Sequence, residues 1–106
     1  MQEISVSQLK EWLQGPAENP LVLDVREPWE ITLCRIEPSV AIPMREISAR
    51  LAELDPDGEI AVLCHHGVRS RFVAQFLDSQ GFKRVYNVTG GIDRWAREQD
   101  PAMQTY

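Results

Sequence analysis

The 106-residue chain carries 11 basic and 16 acidic side chains, a formal net charge of -5, and 43% of its residues are hydrophobic. That size and apolar content suffice for a single domain over residues 1–106 that buries one core without disulfide or metal staples. The acidic balance excludes the broad basic face that binding to a phosphate backbone requires, so no nucleic-acid partner is expected, and a small-anion site has to be built locally from backbone amides and a few arginines.

Met1-Gln2-Glu3-Ile4 lacks the basic region and apolar run of a secretory leader, and no stretch approaches a membrane span. A soluble, cytoplasmic protein with no membrane partner is expected. In chain order, Glu3-Ile4-Ser5 is a candidate edge strand. A helix carrying Leu9, Trp12 and Leu13 follows, with Ser7 as N-cap and Gly15-Pro16 as its end. Leu21-Val22-Leu23-Asp24-Val25 has the branched, apolar character of a strand buried on both faces. Thr32-Leu33-Cys34-Arg35 reads as irregular, with Cys34 a small buried hydrophobe. Val40-Ala41-Ile42 before Pro43 is a weaker strand, and Ile47, Leu51 and Leu54 have helical spacing up to a turn at Asp55-Pro56-Asp57-Gly58. Ile60-Ala61-Val62-Leu63 is the next strand, followed by a helix bearing Phe72, Val73, Phe76 and Leu77 that stops at Gly81. Val85-Tyr86-Asn87-Val88 and a helix with Ile92, Trp95 and Ala96 complete the pattern.

Strands alternating with amphipathic helices predict an α/β domain with right-handed crossovers and helices on both faces of the sheet. Ligands of such sheets bind beyond the carboxyl ends of the strands. Three polar segments fall there, at residues 24–27, 64–69 and 87–91, and one of them holds Cys64.

Cys64-His65-His66-Gly67-Val68-Arg69-Ser70 runs from a strand directly into a helix. A loop curled around Cys64 turns its N–H groups and the helix N-terminus toward the sulfur, where the helix dipole favours negative charge. Gly67 permits backbone angles that a Cβ resists, Arg69 adds a fixed positive charge, and Ser70 is a candidate helix cap. Such a setting favours a nucleophilic thiolate and stabilises a persulfide anion or a substrate oxyanion by charge-assisted hydrogen bonds.

Cys64-His65-His66-Gly67-Val68-Arg69 resembles the active-site loop of the rhodanese family, Cys-x-x-Gly-x-Arg. Leu23-Asp24-Val25-Arg26-Glu27 is similar to the family's Asp-x-Arg segment, and Ile42-Pro43 to its Ile-Pro pair. Gly81-Phe82 with Val85-Tyr86-Asn87, and Gly90-Gly91-Ile92 with Trp95, resemble its next strand and its closing Gly-Gly-x-x-x-Trp. The likeness covers nearly the whole chain in order. It departs at Cys34-Arg35-Ile36-Glu37-Pro38-Ser39-Val40, where the family carries Gly-His-Ile-x-Gly-Ala; a changed turn is expected there, with no role assigned to Cys34 or Arg35.

The resemblance implies a three-layer fold, a mostly parallel sheet of four or five strands between helices, and a sulfurtransferase reaction. Cys64 takes the outer sulfur of thiosulfate or another small anionic donor, releases sulfite, and passes the sulfur from a persulfide to cyanide, a thiol or a protein thiol. No metal or organic cofactor is implied, and a monomer is expected. Asp24 is expected to anchor loop amides or Arg69 and Arg26 to border the entrance, although the two can equally pair with each other or with helix termini. Arg69 is expected to brace the loop. His65 and His66 are placed at the pocket mouth, where a partly protonated imidazole attracts an anion. Three consecutive residues rarely converge on one ion, so Cys64, His65 and His66 are not read as a metal site. Trp12, Trp29 and Trp95 are read as packing residues.

Other functions remain open on sequence. A cysteine phosphatase or arsenate reductase shares the thiolate and amide ring, but its loop is one residue longer before the Arg; here four residues separate Cys64 from Arg69, a ring better suited to sulfur than to phosphate. A regulatory docking module, a sulfur-relay carrier fed by a protein persulfide, and a sensor forming a Cys34–Cys64 disulfide are the further alternatives.

Overall fold

The computed structural model describes residues 1–15 and 20–106. Five strands, β1 (Gln2–Ile4), β2 (Leu21–Asp24), β3 (Val40–Ala41), β4 (Glu59–Leu63) and β5 (Arg84–Val88), form one sheet in the order β1-β5-β4-β2-β3. Every pairing is parallel. Among the described residues the α-helices are α1 (Val6–Gln14), α2 (Pro28–Leu33), α3 (Val68–Ser79) and α4 (Gly91–Glu98).

The alternation of side chains along each strand explains the continuous apolar runs. Leu23, Ile60, Val62 and Val85 point to one face, against Ile47, Leu54, Val73, Ala74 and Leu77. Val22, Ala61, Leu63 and Val88 point to the other, against Val6, Leu9, Ile36, Ile92 and Trp95. At about 25 cal/mol per Å² of apolar surface removed from water, these two layers dominate the stabilisation. Trp12 packs edge-on against Tyr86 at 4.9 Å, whereas Trp29 lies mostly exposed on α2.

Three local expectations are revised. The N-cap of α1 is Ser5, not Ser7: Ser5 Oγ accepts the Gln8 N–H at 3.0 Å. Gly15 follows α1, and Pro16 lies outside the described residues. Ile47, Leu51 and Leu54 do not share an α-helix; the segment is two single 3-10 turns, Met44–Glu46 and Leu51–Glu53, closed by bonds from Ile47 N–H to Met44 and from Leu54 N–H to Leu51. The tighter, steeper 3-10 turn gains more length per residue, and it still buries Ile47 and Leu54 while spanning from β3 to β4.

Thr32 and Leu33 are helical rather than irregular. Pro28 begins α2, where its missing N–H costs nothing, and Glu30 reaches back to accept the Glu27 N–H at 2.9 Å. The chain then turns at Ile36, which is buried, and enters the short β3 at Val40. Arg35 pairs on the surface with Glu37. Among the described residues, no helix is long and apolar enough to cross a membrane.

Candidate active site

Cys64 leaves β4 at the carboxyl edge of the sheet, between β2 and β5. Its side chain is buried, and Sγ accepts the Gly67 N–H at 3.0 Å. Gly67 makes that turn possible: its φ is +100°, and an added Cβ would press on the Gly90 N–H at 3.1 Å. Gly67 is also the N-cap of α3, so Ser70 does not cap that helix as expected. Ser70 instead sits buried in its first turn with Oγ 3.2 Å from Cys64 Sγ.

The Ser70 hydroxyl is oriented by a second residue. It donates to Asn87 Oδ1 at 2.5 Å, while Asn87 Nδ2 donates to Glu3 Oε1 and to the Gly67 carbonyl at 2.8 and 3.2 Å. Asn87 therefore holds the loop from β5 at Gly67 and at Ser70. The loop is tied from the other side by α4, through Ile92 N–H to the Cys64 carbonyl at 2.9 Å and Asp93 N–H to the His65 carbonyl at 3.1 Å.

Arg69 braces the loop from outside. Its guanidinium meets both carboxylate oxygens of Glu30 at 2.7 Å, a bidentate pair that couples the loop to α2. Arg69 comes first among the causes that hold the Glu30 pKa down to about 2; burial works the other way. Tyr106 Oη adds a bond to Glu30 Oε1 at 2.8 Å and accepts from Arg26 Nη1 at 3.0 Å.

Of the two readings open for Asp24 and Arg26, the structure takes the one in which they pair with each other. Both side chains are fully buried, and Arg26 Nε and Nη2 meet Asp24 at 2.9 and 2.7 Å. Arg26 thus does not border the entrance, and Asp24 bonds Arg26 rather than Arg69 or the loop amides. The remaining guanidinium protons go to the Glu30 and Cys34 carbonyls at 3.3 and 2.8 Å, so Arg26 satisfies the end of α2. Burial opposes its charge, but the Asp24 and Tyr106 bonds outweigh it and raise its pKa. Cys34 is half-buried against the second core layer; it and Cys64 are free thiols.

The two histidines separate. His66 stays exposed at the rim, whereas His65 turns onto Tyr106, with rings stacked at 3.8 Å and Nε2–H donating to the Tyr106 carbonyl at 2.8 Å. Burial first, and His66 second, lower the His65 pKa, which disfavours the partly protonated imidazole expected at this position. Val68, at the junction of the loop with α3, and Phe72, one turn further along the helix, are exposed apolar residues. Glu30 and Tyr106 were not singled out from sequence. The run from Pro28 to Glu30 carried a legible helix-start signal; Tyr106 had none.

The rhodanese-like domain model matches residues 5–98. The chain belongs to the rhodanese-like family. It is 41% identical to the putative sulfurtransferase YtwF of Bacillus subtilis (strain 168), over 95% of this chain and 96% of that protein. To the thiosulfate sulfurtransferase GlpE of Glaesserella parasuis serovar 5 it is 35% identical, over 98% and 94%. These relatives of matching length place the chain with the sulfurtransferases. It also spans 38% of the length of a chloroplastic rhodanese-like/PpiC domain-containing protein of Arabidopsis thaliana, at 37% identity. A rhodanese-like domain protein from Staphylococcus aureus superimposes with a TM-score of 0.86 at 27% identity, covering 100% and 99% of the two chains.

Proposed function

We propose that the chain moves a sulfane sulfur from thiosulfate, or from a persulfide donor, to cyanide, a thiol or a protein thiol through a persulfide on Cys64. The carrying observation is the placement of Cys64 Sγ against the Gly67 N–H, 3.0 Å away at the start of α3. The Cys64 thiolate attacks the outer sulfur of thiosulfate; the S–S bond breaks, and sulfite leaves with its electron pair. The amide stabilises the negative sulfur before and after this step without reorganising. An acceptor nucleophile then bonds the outer sulfur, and the electron pair returns to Cys64 as thiolate.

In this reading the protein works as a monomer in a reducing compartment such as the cytoplasm, which keeps Cys34 and Cys64 as thiols. The test is intact mass after incubation of the reduced protein with thiosulfate. One added sulfur atom, absent in Cys64→Ser and released by cyanide as thiocyanate, supports the reading; a wild-type protein that gains no sulfur from thiosulfate or from a persulfide donor overturns it.

A relay role, with a protein persulfide as donor, is favoured by exposed Val68 at the loop's junction with α3 and exposed Phe72 one turn further on, which suit a protein surface better than a small anion. Loading by a cysteine desulfurase but not by thiosulfate distinguishes it.

A further inference from the structure

Three metal-ligating side chains meet on the shoulder of the Cys64 loop. His65 and His66 come from the loop and Asp93 from the first turn of α4, and one ligand atom from each lies within 4.8 Å of the other two. His66 Nε2 is 3.9 Å from Asp93 Oδ2, and the imidazole centroids are 3.8 Å apart. We propose that His65, His66 and Asp93 bind one divalent transition-metal ion of the zinc class, leaving a position open to water or a small anion.

Zinc bonds of about 2.0–2.2 Å to nitrogen and oxygen set tetrahedral ligand atoms roughly 3.4 Å apart. The 3.9 Å between His66 Nε2 and Asp93 Oδ2 is already close to that spacing, and the His66 side chain is exposed. Two imidazoles and one carboxylate suit zinc, nickel or copper; magnesium and calcium favour oxygen ligands.

The backbone fixes the spacing in advance. Asp93 N–H donates to the His65 carbonyl at 3.1 Å, so the two ligands are held by one peptide hydrogen bond. His65 Nε2–H donates to the Tyr106 carbonyl at 2.8 Å, which leaves the lone pair on Nδ1; a carbonyl on the far nitrogen is the usual companion of a metal-bound imidazole. The competitor for Asp93 is Arg97, whose Nε lies 3.1 Å from Oδ2 in an exposed pair that an ion can share or displace. Sequence spacing concealed this site because Asp93 reaches the loop only through the fold.

The test is titration of the reduced, tag-free protein with cobalt(II) chloride, followed in the visible and near ultraviolet. Uptake of one equivalent with ligand-field bands, no thiolate-to-cobalt charge transfer, and displacement by zinc chloride is the expected result. His66→Ala, at an exposed position, and Asp93→Asn, which keeps the side-chain shape, each weaken affinity by at least about tenfold. Absence of uptake, a thiolate band that vanishes in Cys64→Ser, or unchanged affinity in both variants overturns the proposal. Because metal uptake is the readout, the result is independent of sulfur transfer.

Discussion

The ring of Tyr106 lies parallel to the imidazole of His65, 3.8 Å away with planes 5° apart, while its hydroxyl bonds both Arg26 and Glu30. One residue thus ties the position after Cys64 to the ion pair that braces Arg69. Tyr106→Phe keeps the stack and removes the hydroxyl, at a cost of about 1–2 kcal/mol for the partners left short. Tyr106→Ala also loses the stack, a further ~1 kcal/mol. Denaturant midpoints should fall in that order, and sulfur transfer with them as the loop loosens. Wild-type rates in Tyr106→Ala would show that the loop is held without this residue.

The Glu30–Arg69 pair makes stability depend on pH with a definite sign. Glu30 titrates at about 2 in the fold, below its ordinary value of 4.5, so the unfolded chain binds more protons between those values. Its contribution is complete above 4.5 and is lost as pH falls toward 2. His65, lowered from 6.5, acts with the same sign, so stability begins to fall as pH drops below 6.5. Thermal melts should therefore show two steps of loss on acidification. Glu30→Gln should remove the lower step and cost roughly 2–4 kcal/mol at neutral pH, since it breaks a largely buried pair from one side. An unchanged acid profile in Glu30→Gln would assign the lower step to other carboxylates.

Much of this arrangement was legible in the sequence, and the limits are physical. Apolar runs at Leu21, Ile60 and Val85 fix strands because only burial on both faces uses them, and Gly67 marks the left-handed turn beside Cys64. The partners of charged residues were legible only in part. The Asp24–Arg26 pair was one of the two readings open from sequence and is the one observed, whereas the Arg69–Glu30 pair depends on where α2 starts, at Pro28, and no local pattern joins those two residues. Tyr106 reaches His65 from 41 residues away, a distance no local pattern encodes.

Ser70 carries one hydroxyl proton between two acceptors, Asn87 Oδ1 and Cys64 Sγ. With the thiol protonated, S–H donates to Ser70 while Ser70 donates to Asn87. Once Cys64 is ionised, rotation of the hydroxyl toward sulfur gives the anion a second donor beside the Gly67 N–H. A hydrogen bond to a charged group is worth about 1.5–3 kcal/mol. Ser70→Ala should therefore slow loading from thiosulfate by about tenfold or more, measured by single-turnover sulfite release. A rate within twofold of wild type would leave the amide as the sufficient donor.

Gly91 offers the sharpest separation of loop geometry from loop chemistry. It begins α4 at φ +62°, and a Cβ there would collide with the carbonyl oxygens of Cys64 and His65. Those carbonyls accept the Ile92 and Asp93 N–H groups, so the collision falls on the bonds that register the loop against α4. Gly91→Ala alters no charge and touches no reacting atom, yet it has to push the Cys64 loop away or strain the helix start. The left-handed backbone adds about 1–2 kcal/mol to any contact strain. Sulfur transfer should drop by more than tenfold in protein that still melts cooperatively, with Cys64 alkylation by iodoacetamide accelerated as the buried thiol is released. Wild-type transfer rates together with wild-type alkylation rates would show that loop and helix are not in rigid register.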